Sequence, residues 1–243
     1  MSSDSTIDAT NADRQPRQSK RSKRSAILAA ATAEFARTGY RASKWSDIAD
    51  AVGIGSTALY HYFVSKEHCL FRIMADTLAE NRDFFDAAQR AGDEPRDVIS
   101  AGLGHVFEGG QIARIRNRVL VSELSLLSLD HEGPKREHDA YLEARSYARD
   151  IVRDWTRYLE LCMRDGRIPD RQDPHLLARA LLGLSSWVFL WYDPRTTNIS
   201  AETLRDSVVA HAMAITFFAG AEIPQRSRRT GARHKAATRS KRS

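Results

Sequence analysis

Four side chains within residues 56–61 carry the most chemistry in this sequence. Ser56, Thr57, Tyr60 and His61 all end in hydrogen-bonding groups. Their spacing lays them along the open side of one short helix. Hydroxyls and an imidazole in such a row suit base edges and phosphate oxygens rather than bond cleavage. Catalytic sets are missing elsewhere. There is no P-loop, no Gly-x-Gly-x-x-Gly, no His-Glu-x-x-His and no Gly-x-Ser-x-Gly. His131 and His138 stand seven apart across a loop, and metal ligation by the pair needs a third group the sequence does not supply. Cys69 and Cys162 match neither zinc spacing nor a disulfide framework. Each reads as a small buried apolar residue in a reducing cytoplasm. The expectation is a binding protein without catalytic residues, cofactor or metal.

The row is positioned by the stretch Ser43–Lys66. Trp45, Ile48, Ala49 and Val52 recur at i, i+3, i+4 and i+7, the buried face of a helix from Lys44 to about Val52. Ser43 is expected to cap its start. Gly53 supplies the turn and Ile54 plugs the corner. Gly55 or Ser56 caps a second helix to about Tyr62, which buries Leu59 and Phe63. Two short helices so joined form a helix–turn–helix, in which the first braces and the second enters a major groove.

With those residues in view, positions of about 21–70 resemble the DNA-binding domain of the TetR family of transcriptional regulators. The likeness rests on the joint spacing of Ile48-Ala49, Gly53, Leu59-Tyr60, Phe63 and Ser65-Lys66, supported by Ile27, Phe35, Gly39 and Tyr40. Gly55 stands where the family usually has a serine cap, Thr57 where glycine is common, and Trp45 replaces a smaller apolar residue. The resemblance implies that Ser56, Thr57, Tyr60 and His61 lie near bases or the adjacent backbone. It places Ser43, Lys44, Tyr62 and Lys66 near phosphates. It also implies a homodimer on a near-palindromic double-stranded operator, acting as a repressor that a small molecule releases.

The charge distribution agrees. The chain carries a net +6, but residues 1–66 hold ten Lys/Arg against six Asp/Glu and residues 222–243 hold eight against one, leaving the middle at −5. Positive charge thus sits at the DNA-binding end and the termini. Residues 1–20 are expected to form a disordered basic arm and 222–243 a disordered basic tail. Both read as solvated tails or as phosphate-holding extensions. The helix–turn–helix domain occupies 21–66, within which the first helix, starting at about Lys20, runs to Thr38.

Residues 67–221 keep a helical period and no strand pattern, so the fold class is all-α: a three-helix head followed by a larger helical ligand-binding and dimerisation domain. Ser65 caps a long helix to about Ala88 that links the two. Further helices are expected at 95–107, 111–129, 136–165, 174–191 and 201–218. The 174–191 helix is apolar on nearly every side, and a second subunit is the natural cover for its outer face. It is short for a bilayer span and contains Arg179, so a membrane is not expected.

The candidate ligand site is read from aromatics and neighbouring leucines: Phe107, Leu120, Leu124, Tyr141, Trp155, Trp187 and Trp191. Each taken singly is equally a core residue. The segment Trp187–Pro194 resembles a subset of the TetR family, several of which answer to acyl-CoA thioesters of fatty acids or sterol fragments. Arg114, Arg116, Arg118 and Arg145 are candidates for the phosphates of such a ligand. A planar aromatic effector fits the same residues, and an architectural DNA-binding protein without an effector is the other class. A small-molecule-sized cavity in the central domain separates the two.

Overall fold

The computed structural model describes residues 14–92 and 94–218, with side chains from residue 21 onward. The expected arm as far as residue 13, the tail at 222–243, and the side chains of Arg14, Arg17 and Lys20 lie outside the described residues. Nine α-helices and two 3-10 turns make up the described chain, with no strand among those residues.

The head comprises α1 (Arg14–Thr38), α2 (Trp45–Val52) and α3 (Ser56–Tyr62). Helix α1 thus begins six residues before the expected start at Lys20. Helix α4 (Lys66–Ala91) leaves the head and becomes the spine of the body. Around it stand α5 (Pro95–Gly104), α6 (Gly110–Glu123), α7 (Lys135–Arg164), α8 (Pro174–Trp191) and α9 (Ala201–Phe217). The helices expected at 95–107 and 111–129 each end in a 3-10 turn, His105–Phe107 and Leu124–Ser128.

The caps explain most boundaries. Ser65 accepts from the His68 N–H at 2.8 Å, Asp173 from Leu176 at 2.9 Å and Ser200 from Thr203 at 3.0 Å. Ser43 does not cap α2. Its hydroxyl turns inward and donates to the Tyr40 carbonyl at 2.6 Å, satisfying the turn after α1, and Lys44 takes the cap position without a side-chain bond.

One apolar core runs unbroken from Ile27, Ile48 and Leu59 in the head through Leu70 and Met74 to Phe85, Trp155 and Leu181 in the body. Continuity of this kind makes head and body mechanically coupled. Helices α4 and α7 form its axis, tied by the Arg72–Glu143 ion pair and by Arg82 Nε on Asp154 Oδ2 at 2.7 Å. Near the far end of α4, Phe85 and Trp155 stack with centroids 4.1 Å apart and planes at 12°. A Cβ on Gly102 would stand 2.8 Å from Phe85 and 2.9 Å from Trp155, so α5 reaches the stack only through glycine. A second cluster of Phe107, Val188, Phe189, Tyr192, Leu204 and Val208 seals α8 against α9.

Helix α8 buries one side and shows an apolar outer stripe of Leu176, Ala180, Gly183, Trp187 and Trp191. Trp187 is 65% exposed. Ile215 of α9 and Phe218 just beyond it are exposed as well, so large apolar side chains stand open on both of the last two helices.

Candidate functional site

The helix–turn–helix is built by its backbone. Gly53 takes φ 67°, in the left-handed region, and its N–H donates to Asp50 at 3.0 Å. The Ile54 N–H reaches back to Ala49 at 3.1 Å, which closes the end of α2 in a Schellman arrangement. Lys23 of α1 adds its ammonium to the Val52 carbonyl. Leu59 and Phe63 are fully buried and fix the roll of α3. That roll leaves Ser56, Thr57, Tyr60 and His61 exposed together, with Lys44 exposed beside them and Tyr62 half-buried. Trp45 sets its ring edge-on to Tyr60, centroids 6.4 Å apart, so the larger residue at 45 supports a side chain of the reading row.

Two of the expected phosphate contacts are placed otherwise. Ser43 is 5% exposed with its hydroxyl spent inside the head. The Lys66 ammonium is held by the carbonyls of Tyr40 at 2.8 Å and Ser43 at 2.9 Å, with Arg41 at 3.4 Å. It is a brace across the turn that follows α1.

A cleft of about 920 Å³ opens in the body between α7, α8 and the Leu124–Ser128 turn. Its floor is Leu124, Leu127, Ala148 and Val152. Along one wall run Arg145, Arg149, Arg153 and Arg157, each four residues after the last, and Arg179 faces them from α8. Glu160 is the one acid of the lining. Arg153 is paired with Asp150 at 2.8 Å, and Arg145 donates to the Tyr141 hydroxyl at 2.7 Å. Arg149 and Arg157 pair with no carboxylate among the described residues. An apolar floor beside unneutralised guanidinium groups suits a molecule with a hydrocarbon part and an anionic part.

Of the seven residues expected at the ligand, only Leu124 lines this cleft. Phe107 belongs to the α8–α9 cluster, and Leu120 and Trp155 to the main core. Tyr141 is buried, its hydroxyl donating to the Leu129 carbonyl at 2.6 Å. Trp187 and Trp191 stand on the outer face of α8. Of the candidate arginines, Arg145 lines the cleft and Arg116 is paired with Glu80. Arg114 and Arg118 line a smaller groove of about 410 Å³ against α1. The four-residue arginine spacing on α7 is the sequence feature that coincides with the cleft, and by itself it is the pattern of a solvated helix face.

Two family models match: bacterial regulatory proteins, tetR family, over residues 27–73, and tetracyclin repressor-like, C-terminal domain, over 118–216. The chain belongs to the TetR family. The HTH-type transcriptional repressor KstR2 of Rhodococcus jostii (strain RHA1) is 29% identical over 170 residues, 69% of this chain and 78% of that one. The solved ketosteroid transcriptional regulator KstR2 of Mycobacterium tuberculosis superposes with a TM-score of 0.66 at 21% identity, covering 80% of this chain and 94% of that one. AibR, solved in complex with isovaleryl coenzyme A and operator DNA, gives 0.64 at 21%, covering 78% and 97%. At these identities the two solved structures show the fold. This TetR-family chain is a transcriptional regulator and not an enzyme.

The remaining chemistry is consistent with a regulator. Both cysteines are free and buried, and burial pushes their thiols up from the ordinary range, so neither is a poised nucleophile. Among the described residues no group of His, Cys, Asp and Glu gathers as for a metal, and no helix is long and apolar enough to cross a membrane.

Proposed function

We propose that this TetR-family regulator is a cytoplasmic homodimeric repressor released from its operator by an acyl-CoA thioester. The observation that carries the reading is the arginine row over an apolar floor in the α7–α8 cleft. Twelve helical steps from Arg145 to Arg157 span about 18 Å, long enough to follow an extended nucleotide phosphate chain. A fatty or sterol-derived acyl group takes the leucine and valine floor. The lining holds no aromatic ring for a planar effector to stack on, and His175 is its only imidazole. An architectural DNA-binding protein has no use for the cleft at all. AibR, which shares the fold, was solved with isovaleryl coenzyme A, and this supports the same ligand class here.

In this reading a second copy covers the stripe of Leu176, Gly183, Trp187 and Trp191. The dimer presents two copies of α3 to successive major grooves, about 34 Å apart. Ser56, Thr57, Tyr60 and His61 meet bases and the adjacent backbone, and Lys44 and Tyr62 meet phosphate. The effector works only through its differential affinity for a conformation with mis-spaced heads, a coupling of about 1–3 kcal/mol.

Calorimetry with octanoyl-CoA, free coenzyme A and octanoate tests the ligand. The acyl-CoA is expected to bind tightest, because it alone engages both the floor and the arginines. Equal binding of octanoate would contradict the role of the arginine row.

A further inference from the structure

The first turn of α7 grips the reading head. Arg136 Nη2 donates to the carbonyl of Tyr62, the last residue of α3, at 2.8 Å. The next residue, Glu137, is 5% exposed and divides its carboxylate between two donors. Its Oε2 accepts from the Ser65 hydroxyl and its Oε1 from His131 Nε2 at 2.6 Å. Ser65 is the residue whose oxygen caps α4. One buried carboxylate of the body therefore fixes the hydroxyl that starts the helix directly after the reading helix. A buried carboxylate persists where donors compensate its desolvation, and here one donor comes from the head and one from the 129–134 loop.

Gly133 is a second, independent sign that this junction is built. A Cβ there would stand 2.4 Å from Glu137 Oε1 and 3.2 Å from His131 Nε2. The loop passes so close to the pair that a side chain at 133 would have to push the Glu137 carboxylate aside.

The same pieces reach the cleft. Tyr141, one turn after Glu137 on α7, sets its ring 5.3 Å from that of His131. Its hydroxyl donates to Leu129, at the start of the loop, and accepts from Arg145 of the cleft wall. The loop follows directly on the Leu124–Ser128 turn, which supplies Leu124 and Leu127 to the cleft's floor. Hydrogen bonds thus run from Arg145 through Tyr141 and the loop to His131, Glu137 and Ser65.

We infer that Arg136 and Glu137 are positioning residues for the reading helix, and that occupancy of the cleft is transmitted to the head by loosening them. An anion that draws Arg145 off Tyr141 lets the 129–134 loop move. His131 then leaves Glu137, and the α3–α4 junction is freed. The transmission half rests on the cleft being the effector site; the positioning half does not.

Hydrogen exchange on the full chain tests both halves. Glu137→Gln and Gly133→Ala are expected to speed exchange of the amides at 62–68 by about tenfold or more and to weaken binding to duplex DNA, while far-UV circular dichroism stays native. Arg136→Gln, a surface change that cannot unfold the body, is expected to act in the same direction. Saturating octanoyl-CoA should speed the same amides in the unaltered protein and add nothing further in Glu137→Gln. Unchanged exchange at 62–68 in both Glu137→Gln and Arg136→Gln would overturn the positioning role. A ligand-induced rise equal in the unaltered protein and Glu137→Gln would overturn transmission through the latch. If octanoyl-CoA produces no binding heat, the cleft reading and the transmission half fall together, and exchange in the three variants still decides the positioning half.

Discussion

The ammonium of Lys66, at the start of α4, lies 4.6 Å above the ring of Tyr40 and donates to the Tyr40 carbonyl, joining the head's third helix boundary to the turn after its first. Its donors are directed at Tyr40, Arg41 and Ser43 rather than outward. Lys66→Ala should therefore destabilise the head by about 1–2 kcal/mol and leave the salt dependence of DNA binding unchanged. Lys44→Ala should do the reverse, lowering the slope of log K against log salt by about one unit at constant stability. Denaturation together with binding titrations over a salt series separates the two. A reduced slope for Lys66→Ala would show that the lysine leaves its brace for a phosphate.

Acid should loosen the head through His68. Burial, with Arg136 and Arg24 nearby, lowers its imidazole to about 4 from the ordinary 6.5. Its Nδ1 accepts the Val64 N–H at 3.2 Å, a bond that protonation removes. The unfolded chain takes up the proton near 6.5 and the folded chain only near 4. The stabilisation is thus complete above pH 6.5 and is lost as pH falls through that window, by at most about 1.4 kcal/mol per unit. Compared with the unaltered protein, His68→Gln should show a shallower loss of stability between pH 6.5 and 4. Parallel curves for the two proteins would refute the assignment.

Gly102→Ala should destabilise the body by about 1–3 kcal/mol, because the methyl meets the Phe85–Trp155 stack. The melting temperature should fall by several degrees, with tryptophan emission shifted as Trp155 is displaced. Unaltered melting would mean that α5 moves away freely.

Gly183 has nothing within 4 Å of the position of a Cβ, so within one chain it tolerates a side chain. If α8 is covered by a second copy, Gly183→Asp puts a charge into that contact. Sedimentation should then show monomer or aggregate, with loss of operator binding and retained helicity. An intact, DNA-competent dimer would exclude this face as the interface.

The head was legible in the sequence because local rules decide it. Gly53 has the left-handed φ its place between two apolar runs demands, and Ser65 caps the helix it precedes. The near-continuous apolar run of α8 likewise signalled a helix with an outer face in need of a cover. Ser43 was misread because its hydroxyl can either accept from an α2 amide or donate to a nearby carbonyl, and it turns to the Tyr40 carbonyl three residues back. The seven residues named for the ligand were chosen by side-chain type, and the structure spreads them over the core, the α8–α9 cluster, the cleft and the outer face of α8. Aromatic type does not say what an aromatic touches, and Trp155 meets Phe85 from 70 residues away in the chain. The cleft is marked instead by Arg145, Arg149, Arg153 and Arg157, a row that sequence alone cannot tell from an ordinary solvated helix face.

On the proposed reading, a molecule joining an acyl chain to nucleotide phosphates empties the operator by way of the α7 arginines. Fluorescence anisotropy of labelled operator DNA, selected from genomic fragments by the unaltered protein, measures this directly. Octanoyl-CoA titrated into the complex should release the DNA. The paired change Arg149→Ala and Arg157→Ala should raise the concentration needed at least tenfold while leaving DNA affinity without ligand within about twofold. Release by octanoyl-CoA at the same concentration in both proteins, or no release by any acyl-CoA, would contradict the account.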